Sequence, residues 1–401
     1  MVKKIVALSI AFVLMLAAPL YDVITAPPAS PVDFGAGSGT SLVIESPEKL
    51  NELLSNIPDI ETYLQTNDMT TVNQNFKSFT MTEDGFSKQT QTQNMYSEIK
   101  ETETYTQHVL EMCFAVDALY YHAVGQTRVT NLLYNTNSNG EKGEFKSADR
   151  TTTEYDMEIY YSKDKVLLKL NSMDYLEEER LEGSNEYTKV KEDDEMFSVS
   201  AQMSLFKKSE GKWLELKEYT EEELANKLGI DLSNPESMTE DAQYSYVAYM
   251  YANEFASANI EAINQSNQMN VAYLAKLGGY IVEKLGSSFT QSSDTYYLNE
   301  DPAVKNDYAN AIVGANVFDE NNNADIEAEF NVGSTESTIY QQWALKNGNR
   351  EIEMETTTTF KNLDNTVVNL KDQKITTVYE ALKGAITDYL KEMSKEEANN
   401  G

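Results

Sequence analysis

Two histidines and one cysteine carry the widest chemistry in this chain, since imidazole and thiolate can ligate a metal or serve as base and nucleophile. They are His108, His122 and Cys113, with no other residue of either type in 401. From Gln107 the residues alternate: His108, Leu110, Met112, Phe114, Val116, Ala118 and Tyr120 share one parity, and Glu111, Cys113 and Asp117 the other. Such alternation reads as one long or bent strand. At the rise of an extended chain the two histidines then stand about 46 Å apart, and they can share a metal only if the run folds back between them. Cys113 reads as a strand residue with no assigned base. No Gly-rich phosphate loop, nucleophile elbow or paired-histidine motif is present, so no catalytic role, metal or cofactor is expected.

Oxygen ligands recur at alternate positions in Asp319-Glu320-Asn321-Asn322-Asn323-Ala324-Asp325, as in a calcium loop. Ala324 stands where an EF-hand needs Gly, and Phe330 where it needs a bidentate Glu, which favours a polar hairpin loop. The clusters Glu177-Glu178-Glu179, Glu192-Asp193-Asp194-Glu195 and Glu221-Glu222-Glu223 read as solvated turns and helix starts. A glycosidase pair of carboxylates could sit among them, but nothing in the spacing selects it. The tyrosines of residues 244–251 could line a carbohydrate or lipid site, or simply face a core.

The elements that must position these residues are mostly strands. In Ala324-Asp325-Ile326-Glu327-Ala328-Glu329-Phe330-Asn331-Val332 every even position is apolar and every odd one polar. Ile352, Met354, Thr356, Thr358 and Phe360 repeat the pattern against Glu351, Glu353 and Glu355, and the stretch Tyr308 to Phe360 reads as a β-meander. A second meander precedes it. Its signs are solvated strands of uncertain register in residues 66–104, turn chemistry at Asn137-Ser138-Asn139-Gly140 and Ser162-Lys163-Asp164, and a strand from Phe197 to Leu205 turned at Ser209-Glu210-Gly211.

Between the meanders the period lengthens. Ser237-Met238-Thr239-Glu240 matches a capping box for a helix to about residue 263, and Val271 to Leu285 makes a second helix weakened by Gly278-Gly279. Ser46-Pro47 opens a short helix that Pro58 ends, and Thr377 caps a C-terminal helix. Element order thus repeats, and a duplication is a hypothesis resting on that order alone.

Lys and Arg number 32 against 65 acids, a net charge of -33. That surface repels polyanions, which excludes nucleic acid and anionic lipid headgroups as general partners. Lys3-Lys4 and the apolar run Ile5 to Ala18 have the form of a secretory signal, with an uncleaved anchor as the rival reading. A membrane association is expected only through that segment. One cysteine permits no intramolecular disulfide, and none lies near the signal to carry a lipid anchor. The domain reading is residues 1–25 signal or anchor, 26–44 disordered linker, 45–235 a first helix-plus-meander domain, and 236–401 a second of helices, meander and C-terminal helix.

Two stretches resemble the bacterial envelope lipid carriers of the LolA and LppX kind. One is Tyr160-Tyr161-Ser162-Lys163-Asp164-Lys165-Val166-Leu167-Leu168-Lys169-Leu170. The other is Gly211-Lys212-Trp213-Leu214-Glu215-Leu216 with the helix from Thr220 to Leu228. The resemblance implies curved antiparallel sheets, half-open barrels closed by helices, sheltering a cavity for lipid or another hydrophobic ligand. It implies no catalytic residues, and this chain departs from the lipoprotein members by lacking the acylated cysteine.

The resulting expectation is an exported, extracytoplasmic α+β protein of two curved antiparallel β-meander units with packed helices. Its work is non-covalent binding of a lipid or hydrophobic small molecule. Tyr244, Tyr251, Phe255, Ile326, Phe330, Trp343 and Met354 are the lining residues, as the large apolar side chains of the inner faces. The competing class is a structural component of the cell envelope with a protein partner and no small-molecule ligand.

Overall fold

The computed structural model describes residues 79–95, 97–114, 118–162, 164–190, 209–231, 238–293, 295–314, 316–332, 336–347, 350–362, 370, 373–381 and 383–384. The expected signal or anchor, the linker, the helix after Ser46 and the strand Phe197 to Leu205 lie outside these residues.

The first meander consists of β1 (Phe79–Asn94), β2 (Glu98–Phe114), β3 (Ala118–Thr136), β4 (Lys142–Ser162) and β5 (Val166–Leu181), each antiparallel to the next. At 21 residues, β4 reaches about 70 Å. Gly140 takes φ 77° in the turn before it, the left-handed conformation that Asn-Gly turns need. Two short strands lie against β5, namely β6 (Thr188–Lys189) and β7 (Trp213–Glu215).

Helix α1 (Glu221–Leu228) carries a complete capping box between Thr220 and Glu223 and ends at Gly229 in the left-handed conformation. Helix α2 (Glu240–Ser288) follows, then the hairpin β8 (Phe289–Ser292) and β9 (Thr295–Leu298), and helix α3 (Pro302–Val313). The second meander closes with β10 (Asp325–Val332), β11 (Glu336–Asn347) and β12 (Arg350–Asn362). Short β13 (Ile375–Thr377) pairs in parallel with β7, and a helical turn begins at Val378, its Glu380 amide donating to Thr377 Oγ1.

The two meanders are one sheet. Across the described residues its thirteen strands run β13-β7-β5-β4-β3-β2-β1-β12-β11-β10-β9-β8, with β6 on β5. The join is β1 with β12, paired from Phe79↔Asn362 to Gln91↔Arg350. The fold is therefore α+β, a large and mainly antiparallel sheet with a few helices. Its buried face is the one the alternation predicts. Ile326, Ala328, Phe330, Ile352 and Met354 are buried, while Asp325, Glu327, Glu329, Glu351 and Glu353 are exposed. Helices α2 and α3 add Tyr249, Phe255, Ile263, Leu277, Ile281, Tyr308 and Ile312 to the same continuous core.

Four expectations are corrected. The run from Gln107 to Tyr120 is not one strand but the hairpin of β2 and β3, with Phe114 opposite Leu119. Residues 115–117 are Ala-Val-Asp, without Gly or Pro to mark a turn. The two helices expected between the meanders are the single 49-residue α2, which runs through Gly278-Gly279. The loss of about 1 kcal/mol per Gly is outweighed by packing on both sides. Its N-cap is Thr239, bonded to the Ala242 amide, and not Ser237. Finally, Tyr308 belongs to α3, not to the meander. Asp301 caps that helix and Pro302 occupies its first turn, a start signal of the same kind as Ser46-Pro47.

Candidate functional site

The buried face of the sheet is built from cross-strand rows, because residues opposed in an antiparallel register share a face. One row reads Tyr155, Gly125, His108, Gly85, Thr356, Gln341 and Ala328 across six strand junctions from β4 to β10. Tyr155, His108, Gly85, Thr356 and Gln341 are all buried, although most are polar. The row crosses the join between the meanders at Gly85.

Rows on either side are different in character. Toward one end lie Met157, Ala123, Leu110, Glu83, Thr358, Ile339 and Phe330, apolar but for Glu83 of β1 and Thr358. On the other side Ser87, Met354, Trp343 and Ile326 follow. A polar band thus lies within a largely apolar face. The glycines let neighbours settle onto the sheet. A Cβ at Gly125 would stand 2.6 Å from Tyr155 Oη, and one at Gly85 would stand 2.9 Å from Thr356 Cγ2.

Most of the band's polar groups have partners. Tyr308 Oη on α3 donates to Gln341 Oε1 at 2.8 Å. Tyr155 shares a hydrogen bond with the Thr127 side chain, and burial pushes its hydroxyl pKa well above the ordinary tyrosine value. Trp343 Nε1 and Thr356 Oγ1 are buried and, among the described residues, have no hydrogen-bond partner. An unsatisfied buried polar atom costs about 1–3 kcal/mol.

Aromatic rings from the helices close over β11. Tyr308 lies against Trp343 with ring centroids 5.9 Å apart and meets Tyr280 of α2 edge-on at 5.1 Å. Tyr280 Oη is bonded to Ser288 and Asp307, each at 3.1 Å, and its pKa is raised, by burial first and by the Asp307 charge as well.

Of the seven expected lining residues, Ile326, Trp343 and Met354 form a single cross-strand row. Phe330 sits in the apolar row opposite Ile339, its ring 6.4 Å from that of Tyr296. Phe255 is buried on α2 and belongs to the same core, with Tyr251 half-buried against it. Tyr244, near the start of α2, is half-buried and stands outside that core. The sequence reading placed Thr356 on the inner parity of its strand without a role, and passed over Gln341 and the strand glycines. Gln341 interrupts the apolar parity of Ile339, Trp343 and Leu345, and an isolated strand Gly signals close backbone approach.

The hairpin of β2 and β3 brings the histidines closer than a straight strand would, yet it separates them by face. His108 opposes Gly125 on the buried side. His122 opposes Glu111 on the outer side, its Nε2 3.0 Å from Asp156 Oδ1. Among the described residues no group of three His, Cys, Asp or Glu side chains is placed to hold a metal. In the loop before β10, Asp319 Oδ1 accepts from the amides of Asn321 and Asn322 at 2.8 and 3.0 Å. Asn306 pins the loop to α3 by donating to Asp319 O and Asn323 Oδ1. These bonds make it a polar loop that turns the chain into β10.

No protein-family model matches the chain, and no curated protein matches it. Among solved structures, the translocator domain of the autotransporter NalP from Neisseria meningitidis aligns with 79% of this chain and 100% of its own, at 6% identity. The TM-score of that alignment is 0.16, so it carries no argument about fold or function. No described helix is long and apolar enough to cross a membrane.

Proposed function

We propose that this is an extracytoplasmic envelope protein that binds an apolar or amphipathic ligand non-covalently between the buried sheet face and helices α2 and α3. The observation that carries the reading is the pair Trp343 Nε1 and Thr356 Oγ1, buried polar atoms that no group among the described residues satisfies. Binding sites for such ligands are mostly apolar walls with a few placed polar groups, and the rows around Gln341 have that composition. Curvature of the sheet into a half-open barrel under α2 would enclose the ligand. No catalytic step is assigned, and the signal-like N-terminus is the ground for export.

A second reading is a structural or partner-binding component of the envelope. It is favoured by the far half of the first meander. There Thr102, Thr104 and Thr106 on one face and Glu101, Glu103 and Tyr105 on the other are all half-exposed, a two-sided polar surface.

Native mass spectrometry of the protein purified from its own host, followed by organic extraction, separates the two. A stoichiometric apolar molecule is the expected result. A bare polypeptide mass that stays unchanged after incubation with lipid extract would transfer the assignment to the partner-binding role.

A further inference from the structure

We propose that the outer, solvent-facing side of the sheet is self-complementary and docks a second copy of this chain, face to face about a two-fold axis running along the β1–β12 join. One cross-strand row leads there. Read from β3 to β10 it is Arg128, Tyr105, Lys88, Glu353, Ala344 and Asp325. The join falls at its middle, between Lys88 and Glu353. On one side stand a cation, an aromatic ring and a cation; on the other stand an acid, a methyl group and an acid. Tyr105 is half-exposed, with the Arg128 guanidinium 5.3 Å from its ring centroid, and the other five residues are exposed. Among the described residues none of the four charged groups has an ion-pair partner.

A two-fold axis in that position, lying between two stacked sheets, carries each strand to the equivalent place across the join. Arg128 of one copy then stands over Asp325 of the other, Lys88 over Glu353, and Tyr105 over Ala344, whose small side chain leaves room for the ring. Every contact is made twice, as an isologous interface requires. Within one chain Arg128 and Asp325 are separated by about 24 Å at ordinary strand spacing, so only another molecule can pair them with each other. Two rows along, exposed Val109 comes to lie against Tyr340. The further acids of β10 meet neutral groups, Glu327 against Gln126 and Glu329 against Val124. Six strands and four such rows cover on the order of 800 Å², one partner's share of a standard interface. Aligned sheets pack about 10 Å apart with strands within about 30° of each other, a divergence that the long side chains of Lys88 and Arg128 can follow. The net negative charge of each copy opposes approach, but at physiological salt it is screened beyond about 8 Å, whereas the facing pairs are in contact. Docking leaves the buried face and the helices untouched, so it is independent of whether that face takes a ligand.

Sedimentation of the full mature protein over a range of concentrations at physiological salt tests this. The wild type should sediment as a dimer. Arg128→Asp and Asp325→Arg each set like charges face to face at both ends of the row, and each should weaken dimerisation about tenfold or more. Both positions are exposed, so the circular dichroism of either variant should match that of the wild type. Mixed one to one, the two variants should associate as a heterodimer, because each supplies at both contacts the charge that the other lacks. The double variant should dimerise as the wild type does. A wild type that stays monomeric at the highest concentration reached, a dimer indifferent to both substitutions, or a mixture of the two variants that does not associate overturns the proposal.

Discussion

Glu158 lies on the outer face of β4, where Lys169 Nζ donates to its Oε1 at 2.7 Å, Asn171 Nδ2 to the same oxygen at 2.9 Å and Tyr120 Oη to Oε2 at 2.9 Å. Partial burial opposes its charge, but the bonds from Lys169, Asn171 and Tyr120 outweigh that and hold its carboxyl below the ordinary glutamate value. A carboxyl whose pKa is depressed by folding stabilises the fold above its unfolded value of about 4.3, and the contribution disappears as pH falls through the folded value. Glu158→Gln should therefore lower the melting temperature at neutral pH and progressively less on acidification below that value. Melting curves of both proteins across the acid range would show the gap narrowing; a constant gap would mean that Glu158 acts by packing alone. On the other face, Gly125 makes an independent case. A Cβ there meets Gln107 O at 2.5 Å as well as the Tyr155 hydroxyl, and a strand carbonyl cannot move away as a flexible side chain could. Gly125→Ala should cost about 1–3 kcal/mol in chemical denaturation, and a variant within a few tenths of the wild type would show that Tyr155 is not fixed over the glycine.

At the level of elements, α2 gives the opposite expectation for the same substitution. Gly279 is exposed within the helix, and a Cβ built on it meets nothing within 4 Å. Gly279→Ala should stabilise the protein by about 1 kcal/mol through backbone entropy, measured as a raised denaturant midpoint at unchanged slope. A loss of stability would show that the glycine is needed for close packing. That this helix is one piece was not legible in the sequence, because glycine pairs and an alternating Tyr244, Tyr246, Ala248 and Met250 compete with the helical period, and only tertiary contacts decide. Strands β10 and β12 were legible residue by residue because each has one wet face and one dry face, which enforces parity. The β2–β3 hairpin was not, since alternation carried on across residues 115–117. Parallel pairing of β13 with β7 joins residues more than 150 positions apart, a contact with no local signature. Site legibility divides the same way. Large apolar residues on the inner face could be named from parity, whereas the polar band exists only once registers align Tyr155, His108, Thr356 and Gln341.

For the whole molecule the decisive contact is β1 against β12. Sequence alone gave two meanders, each with its own helices, and the natural expectation from that is two units unfolding separately. Pairing along Phe79–Gln91 and Arg350–Asn362 instead makes the sheet continuous, and the rows through Gly85 and Ser87 are buried where they cross the join. Cutting a sheet there would expose the inner face of both halves and a long unpaired edge on each, so neither half is expected to persist once the other unfolds. The chain provides its own reporters. Its two tryptophans, Trp213 in β7 and Trp343 in β11, are both buried and lie on opposite sides of the join. In Trp213→Phe the indole fluorescence reports the second meander alone, and in Trp343→Phe the first alone. Either change will shift the midpoint of denaturation by weakening a core. Within each variant, however, the fluorescence curve should superimpose on the far-ultraviolet circular dichroism curve, because local and global unfolding are the same event. A fluorescence transition that precedes or lags the dichroism in either variant would show that the meanders unfold apart, and that the β1–β12 seam joins two domains without making them one.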